Sequence, residues 1–179
     1  LAGQVNRLDD TYRSRYLSLY ALGLAHTNRL IDAEDAAEKL SSEYPGSPDP
    51  WFVLTFVHIS MREHDRAIAS AEKYLHLHSD SKMGEGYTGP YYCVSNQHRS
   101  QVLNMLAASY KESGRMEEAV SFYRQSIDAD SGNHLPYLNL AALLLSSGRR
   151  SEADLVIRSG VKQARQVQEL RMMLHSTKD

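Results

Sequence analysis

A period of 34 residues constrains the fold of this chain more than any other feature of its sequence. The stretch 100–131 contains two amphipathic segments that are separated by Ser113 and Gly114. In each segment apolar or small residues recur at the i, i+3, i+4, i+7 spacing of one helix face. The same residue types return 34 residues further on, between Tyr137 and Ile157. A fixed period of this length predicts a solenoid of helical hairpins.

The same frame divides most of the chain into four repeats, at about 14–47, 48–81, 100–133 and 134–167. One position of the frame holds alanine in every repeat: Ala33, Ala67, Ala119 and Ala153. A small residue there lets the two helices of a hairpin approach closely. The hairpin turns carry Asn28, Gly114 and Gly148, residue types that tolerate a left-handed backbone. Arg62 stands at this place in the second repeat, so we expect a slightly different bend there.

The order of residues within a repeat is a large residue, Leu, a small residue, an aromatic, a turn Gly, then Ala and an aromatic. This order resembles the tetratricopeptide repeat (TPR), and the resemblance covers the chain except its two ends and one insertion. It implies an all-α fold, a right-handed α-solenoid of four TPR hairpins in a single domain over residues 1–179. Helical spacing continues beyond Arg150 without a proline, which predicts a long C-terminal capping helix to about residue 175.

Residues 82–99 interrupt the 34-residue period. Three glycines and a proline lie within 84–90 and cannot comfortably continue a helix. Insertions in repeat proteins often form loops on the binding face, and on this interpretation Tyr91 and Tyr92 contact the partner. The alternative interpretation is a loop packed against its own repeats, because aromatic side chains are usually buried for packing. We expect Tyr91 and Tyr92 to dock on the first helices of repeats two and three.

The resemblance also implies a concave groove lined by the first helices of the repeats. The family's contact positions, together with the two loop tyrosines, give the candidate binding residues: Leu22, His26, Phe52, Phe56, Ile59, Gln101, Asn104, Lys111, Leu135, Leu138, Tyr91 and Tyr92. Only Asn104 and Lys111 suit the carboxylate clamp of chaperone-binding members, so such a clamp is not expected. The mostly apolar set predicts that the groove holds a hydrophobic or helical segment of a partner. The inserted loop, the N-terminal helix or a second copy are the alternative occupants.

Charge and composition exclude several classes of function. Lys and Arg total 20 against 22 Asp and Glu, without the basic stripe of a nucleic-acid-binding protein. No run of about 18 apolar residues is present to cross a membrane. The single cysteine, Cys93, excludes an internal disulfide framework and fits a reducing compartment, so we expect a cytoplasmic protein.

The sequence indicates neither an enzyme nor a metal or cofactor site. His76 and His78 lie two residues apart and so point to different sides of a helix. Cys93 and His98 fall in the inserted loop, and no nucleophile or phosphate-loop motif occurs. The leading hypothesis is therefore a protein-interaction scaffold. Because the chain begins at Leu1, a non-catalytic segment of a larger enzyme such as a bacterial glycosyltransferase is an alternative, and self-association is another.

Overall fold

The computed structural model of the chain describes residues 2–80 and 95–176, with side chains from 12 to 78 and from 95 to 173. Every regular element in these two ranges is an α-helix. The helices are α1 (Ala2–His26), α2 (Leu30–Glu43), α3 (Asp49–Ser60), α4 (His64–Asp80), α5 (Asn96–Glu112), α6 (Met116–Ala129), α7 (Leu135–Ser146), α8 (Arg150–Gln163) and α9 (Gln168–Ser176). The predictions for Tyr91 and Tyr92 fall outside the described residues.

Consecutive helices pack as hairpins, and the hairpins stack in chain order. Each first helix packs against the second helix of its own hairpin: α1 with α2, α3 with α4, α5 with α6, and α7 with α8. Each second helix also packs against the next first helix, and α1, α3, α5 and α7 contact one another in sequence. The first helices therefore lie side by side on one face. The all-α solenoid predicted from the sequence is confirmed.

The repeated alanines lie in the buried core of the stack. All four are fully buried: Ala33, Ala67, Ala119 and Ala153. Around them, large side chains from neighbouring hairpins fill the core, and the largest fully buried ones are Tyr74, Tyr123 and Tyr137. Apolar burial of this kind is the main stabilising term for a repeat protein, because each repeat contacts only its neighbours.

The hairpin turns share one backbone geometry, including the turn where the sequence departs from the pattern. The turn residue has a positive φ in every hairpin: 64° at Asn28, 62° at Arg62, 77° at Gly114 and 74° at Gly148. At each turn the next N–H donates to a carbonyl five residues earlier, as from Glu63 to His58 at 2.8 Å. This bond satisfies a carbonyl at the end of the first helix. The different bend predicted at Arg62 is therefore wrong, because the arginine adopts the left-handed conformation of the glycines.

Arg62→Gly is expected to raise the free energy of unfolding by about 0.5–1 kcal/mol. An L-residue in the left-handed region costs roughly 1–2 kcal/mol, and the greater freedom of glycine in the unfolded chain offsets part of that gain. Urea denaturation measures the change. Gly114→Ala is the matched control, since its φ of 77° predicts a loss of about 0.5–1 kcal/mol. A lower stability of Arg62→Gly would contradict the strain at this turn.

The C-terminal region differs from the single long helix that the sequence predicts. Helix α8 ends at Gln163, Ala164 is extended with φ −70° and ψ 148°, and α9 begins only at Gln168. The Arg165 N–H donates to the Gly132 carbonyl at 2.9 Å, and the Arg165 guanidinium pairs with Asp130. The chain therefore turns at this corner, and α9 packs against both α7 and α8. It takes the place that a further first helix would have.

The insertion also ends earlier than predicted. Residues 96–99, which the sequence placed in the inserted loop, form the first turn of α5. Ser95 precedes this helix in an extended conformation, and its side chain accepts a hydrogen bond from the His98 N–H at 3.3 Å. A serine cap of this kind satisfies one of the free donors at a helix start. The cap, rather than Ser100, marks where the third hairpin begins.

Candidate functional site

A cavity of about 350 Å³ lies on the face formed by the first helices. It receives side chains from α1, α3 and α5 and from the start of α7. Its lining residues are Leu22, His26, Phe52, Phe56, His98, Gln101, Asn104, Met105, Asn133 and Leu135. Five of these described lining residues are apolar and five are polar, and a concave site of this size is typical of ligand-binding pockets. We call this cavity the groove.

Aromatic rings form two walls of the groove. The rings of His26 and Phe56 lie 4.9 Å apart between centroids and join α1 to α3. The ring of His98 meets Phe52 edge-on at 5.5 Å and joins α5 to α3. Phe52 also packs on Tyr74 at 6.3 Å and is buried, so it supports the groove more than it presents surface. Phe56 is only half-buried and is the more accessible of the two phenylalanines.

Two asparagine amides of the groove are held by hydrogen bonds. Asn139 donates from Nδ2 to Oδ1 of Asn104 at 2.9 Å, which fixes the orientation of the Asn104 amide. Asn133 donates from Nδ2 to the Ser100 hydroxyl at 3.2 Å, and its Oδ1 accepts from the Leu135 N–H at 3.2 Å. Oriented amides offer a donor or an acceptor to a peptide backbone without carrying charge.

Among the described residues that line the groove, none is an acid, a lysine or an arginine, and the titratable ones are His26 and His98. Burial lowers the pKa of His98 from its usual value, since the charged form loses hydration there. The Ser95 hydroxyl lies 2.6 Å from Nδ1 of the same ring and holds it in place. The His98 side of the groove is therefore uncharged at neutral pH.

The structure brings seven of the predicted binding residues together in the groove: Leu22, His26, Phe52, Phe56, Gln101, Asn104 and Leu135. Three others lie elsewhere. Ile59 does not line the cavity, Lys111 pairs with Glu112 at 2.8 Å, and Leu138 packs beside the cluster of Tyr137 and Leu170. Ile59 and Lys111 both stand at the twelfth position of their repeats, and none of the described lining residues holds that position.

Three lining residues are missed by the sequence analysis. His98 was placed in the inserted loop, although the Ser95 cap puts it in the first turn of α5. Met105 and Asn133 occupy repeat positions that the family does not use for ligand contact. The serine three residues before His98 was the available signal, because Ser is a preferred helix cap.

A second polar cluster lies between the first two hairpins. Glu34, His58 and Glu63 bring their ligand atoms within 4.8 Å of one another. Arg66 forms ion pairs with Glu34 and, at 2.6 Å, with Glu63. Nδ1 of His58 lies 3.0 Å from the Ser70 hydroxyl, and Nε2 lies 3.3 Å from Glu34. The guanidinium supplies the positive charge that these carboxylates need, so the cluster is best explained as a polar contact between hairpins.

Comparisons with known families and solved structures identify proteins that are similar to this chain. The tetratricopeptide repeat family matches residues 110–174, which include the end of α5, all of α6, α7 and α8, and most of α9. Residues 110–174 carry the tetratricopeptide repeat pattern. The turn geometry and hairpin stacking of the earlier helices extend the TPR architecture over the rest of the described chain. No curated protein matches the sequence.

Solved TPR structures resemble most of the chain at low sequence identity. A chain of the APC/C hetero-tetramer Cut9–Hcn1 superposes with a TM-score of 0.71 at 10% identity, over 93% of this chain and 29% of its own. Yeast Tom70 gives 0.71 at 14% identity, over 90% of this chain and 32% of its own. YrrB, described as a TPR protein with an unusual peptide-binding site, gives 0.62 at 13%, over 88% and 72%. The chain thus spans less than a third of the first two, and these likenesses show the fold.

None of the helices in the described part of the TPR chain combines the length and the apolar character needed to cross a membrane.

Proposed function

We propose that this chain is a protein-interaction module whose groove binds an uncharged, apolar peptide segment of a partner protein. The observation that carries the proposal is the groove itself, a cavity of about 350 Å³ with aromatic walls on the face of the first helices. The TPR fold is consistent with a binding scaffold, and YrrB is a TPR protein described by its peptide-binding site. The proposal assigns the chain a binding role and no catalytic one.

The lining favours an uncharged segment over a charged one. A carboxylate or ammonium group in this cavity would lose its hydration without meeting an opposite charge among the lining residues that the structure describes. An apolar side chain would instead gain contacts with Leu22, Phe56, Met105 and Leu135. The oriented amide of Asn104 is placed to hydrogen-bond a peptide backbone, which fixes the orientation of the segment.

Leu135→Glu is expected to weaken peptide binding by about tenfold or more, because it puts a charge into the apolar cavity. The probes are peptides selected from a random displayed library on the immobilised chain, then synthesised and measured by fluorescence anisotropy. Leu155→Glu is the matched control. Leu155 is an exposed leucine on α8 outside the groove, so its substitution is expected to leave the affinity unchanged.

The peptide selection tests which residue types the bound segment contains as well as where on the chain it binds. We expect the selected peptides to share apolar or aromatic residues without a conserved charge. Selected peptides that bind the wild type and Leu135→Glu equally would show that the groove is not the site. A dominant acidic or basic motif among the selected peptides would refute the proposal that the bound segment is uncharged. Leu135→Glu would still test whether those peptides bind in the groove.

A further inference from the structure

A second cavity, of about 300 Å³, adjoins the groove on the side of the C-terminal helices. Gln101, Asn133 and Leu135 line both cavities, so the two are continuous along the face of the first helices. The groove has aromatic walls, whereas most of the described residues that line the second cavity carry an amide or a charge. We call this second cavity the polar pocket.

Three glutamines line the polar pocket. Gln97 and Gln101 are four residues apart on α5 and therefore lie on the same face of that helix. Gln166 comes from the short segment between α8 and α9. All three side chains are exposed. Because each glutamine amide offers both donors and an acceptor, the three together suit a ligand group that also donates and accepts hydrogen bonds.

The arginine and the aspartate of the polar pocket neutralise each other. The Arg165 guanidinium pairs with Oδ2 of Asp130, whose side chain is only 14% exposed. Oδ1 of Asp130 accepts a hydrogen bond from the Gly132 N–H at 3.1 Å. Both carboxylate oxygens are therefore engaged, and the ion pair carries no net charge. A ligand carboxylate would meet Asp130 beside the arginine, and a ligand ammonium group would meet Arg165 beside the aspartate, so like charges oppose both.

The corner between α8 and α9 forms one wall of the polar pocket. Helix α8 ends at Gln163, and the Arg165 N–H then donates to the Gly132 carbonyl at 2.9 Å. Gly132 allows the arginine side chain to lie close to the backbone, since a Cβ built there would be 2.7 Å from Cζ of Arg165. These contacts hold the corner against the turn between α6 and α7, and they bring Gln166 to the same cavity as the glutamines of α5.

We infer that the polar pocket binds an asparagine or glutamine side chain of the same partner segment whose apolar residue lies in the groove. The inference rests on the proposed function and adds a second recognised residue to it. A carboxamide both donates to and accepts from glutamine amides, whereas a carboxylate only accepts and an ammonium group only donates. Because Gln101, Asn133 and Leu135 belong to both cavities, one segment can occupy the two together. The pair of contacts specifies an apolar residue with an amide residue a few positions away.

The test uses the complete chain and peptides selected on it from a random displayed library. We expect the selected peptides to carry Asn or Gln within a few residues of their apolar residue. In one such peptide the amide residue is then replaced by Leu, which removes the hydrogen-bonding group, or by the corresponding acid, which keeps the shape. Fluorescence anisotropy is expected to show that both changed peptides bind the wild type about five- to tenfold more weakly than the original peptide.

The double variant Gln97→Leu, Gln166→Leu tests the contact from the side of the chain. Both residues are exposed and line the polar pocket but not the groove, so circular dichroism is expected to show an unchanged fold. The original peptide is expected to bind this variant about five- to tenfold more weakly, whereas the Leu peptide binds it at least as tightly as the wild type. Gln125→Leu is the matched control with unchanged affinity, because Gln125 is an exposed glutamine on α6 outside both cavities. The comparison of peptides on the wild type needs no variant of the chain.

Three results would overturn the inference. The first is a set of selected peptides without enrichment of Asn or Gln near the apolar residue. The second is a peptide with Leu or the acid that binds the wild type as tightly as the original. The third is an equal loss on the wild type and on the double variant, which would place the amide contact outside the polar pocket. In each case a weakening by Leu135→Glu would leave the groove as the binding site. Equal binding of the selected peptides to the wild type and Leu135→Glu would refute the groove, and this inference with it.

Discussion

Replacing Tyr123 by Ala is expected to lower the free energy of unfolding by about 3–5 kcal/mol, the usual range for deleting a large aromatic side chain from a core. Tyr123 lies on α6 and is 1% exposed. It belongs to a core cluster that extends from Phe52 on α3 to Ala153 on α8, so the cavity left behind would weaken contacts between successive hairpins. Burial raises the pKa of its hydroxyl to about 12, so the ring stays neutral over the whole range of ordinary assays.

The matched control is Tyr20→Ala. Tyr20 lies on α1 and is 61% exposed, so the same chemical change is expected to alter stability by no more than about 0.5 kcal/mol. Both variants are measured by urea denaturation followed by far-ultraviolet circular dichroism. Equal losses for the two tyrosines would contradict the placement of Tyr123 in the core. Tyr123→Phe keeps the ring and is expected to retain most of the stability.

Gly160→Ala is expected to destabilise the chain by about 1–3 kcal/mol, although alanine is the better helix former by about 1 kcal/mol. A Cβ at Gly160 would lie 2.8 Å from Cγ of Tyr137 and 2.9 Å from Cδ1 of Leu170. Both neighbours are fully buried, so neither ring nor methyl can move aside without disturbing the packing of α7 and α9. Overpacking should therefore exceed the gain in helix propensity.

Gly23→Ala provides a control with the opposite sign. Gly23 is also inside a helix, but a Cβ there would meet nothing within 4 Å. The substitution is expected to raise the free energy of unfolding by about 0.5–1 kcal/mol, since only the propensity term remains. If Gly160→Ala also stabilised the chain, the close approach of α7, α8 and α9 at this glycine would be refuted.

The stacking of helical hairpins could be predicted because its cause is local and repeated. The alanine position and the apolar spacing recur in each repeat, and burial selects the same residue types each time. The C-terminal break could not be predicted in this way. Residues 160–175 keep helical spacing without a proline, and α8 ends because Arg165 bonds to Gly132 and Leu170 packs beneath α7. These contacts join residues about 30 positions apart, which a local pattern does not contain.

Only part of the groove lining was predicted, and local sequence patterns again set the limit. Positions taken from the family identified Phe56, Asn104 and Leu135, because the first helices keep a fixed orientation in the stack. His98 was missed because the insertion hid the true start of α5. The cluster around His58 was missed because its members come from α2, α3, α4 and the turn between the last two. The spacing of residues along one helix does not indicate which residues of other helices will lie next to them.

The groove takes side chains from hairpins that do not touch each other. Leu22 and His26 belong to the first hairpin and Leu135 to the fourth, and among the described helices α1 and α7 share no contact. Stacked repeats can open independently, because each depends only on its neighbours. A segment bound across the groove would link the opening of distant repeats through its own binding free energy. Occupancy would thereby make unfolding more cooperative, and a substitution that loosens any single hairpin would lower affinity without touching the ligand.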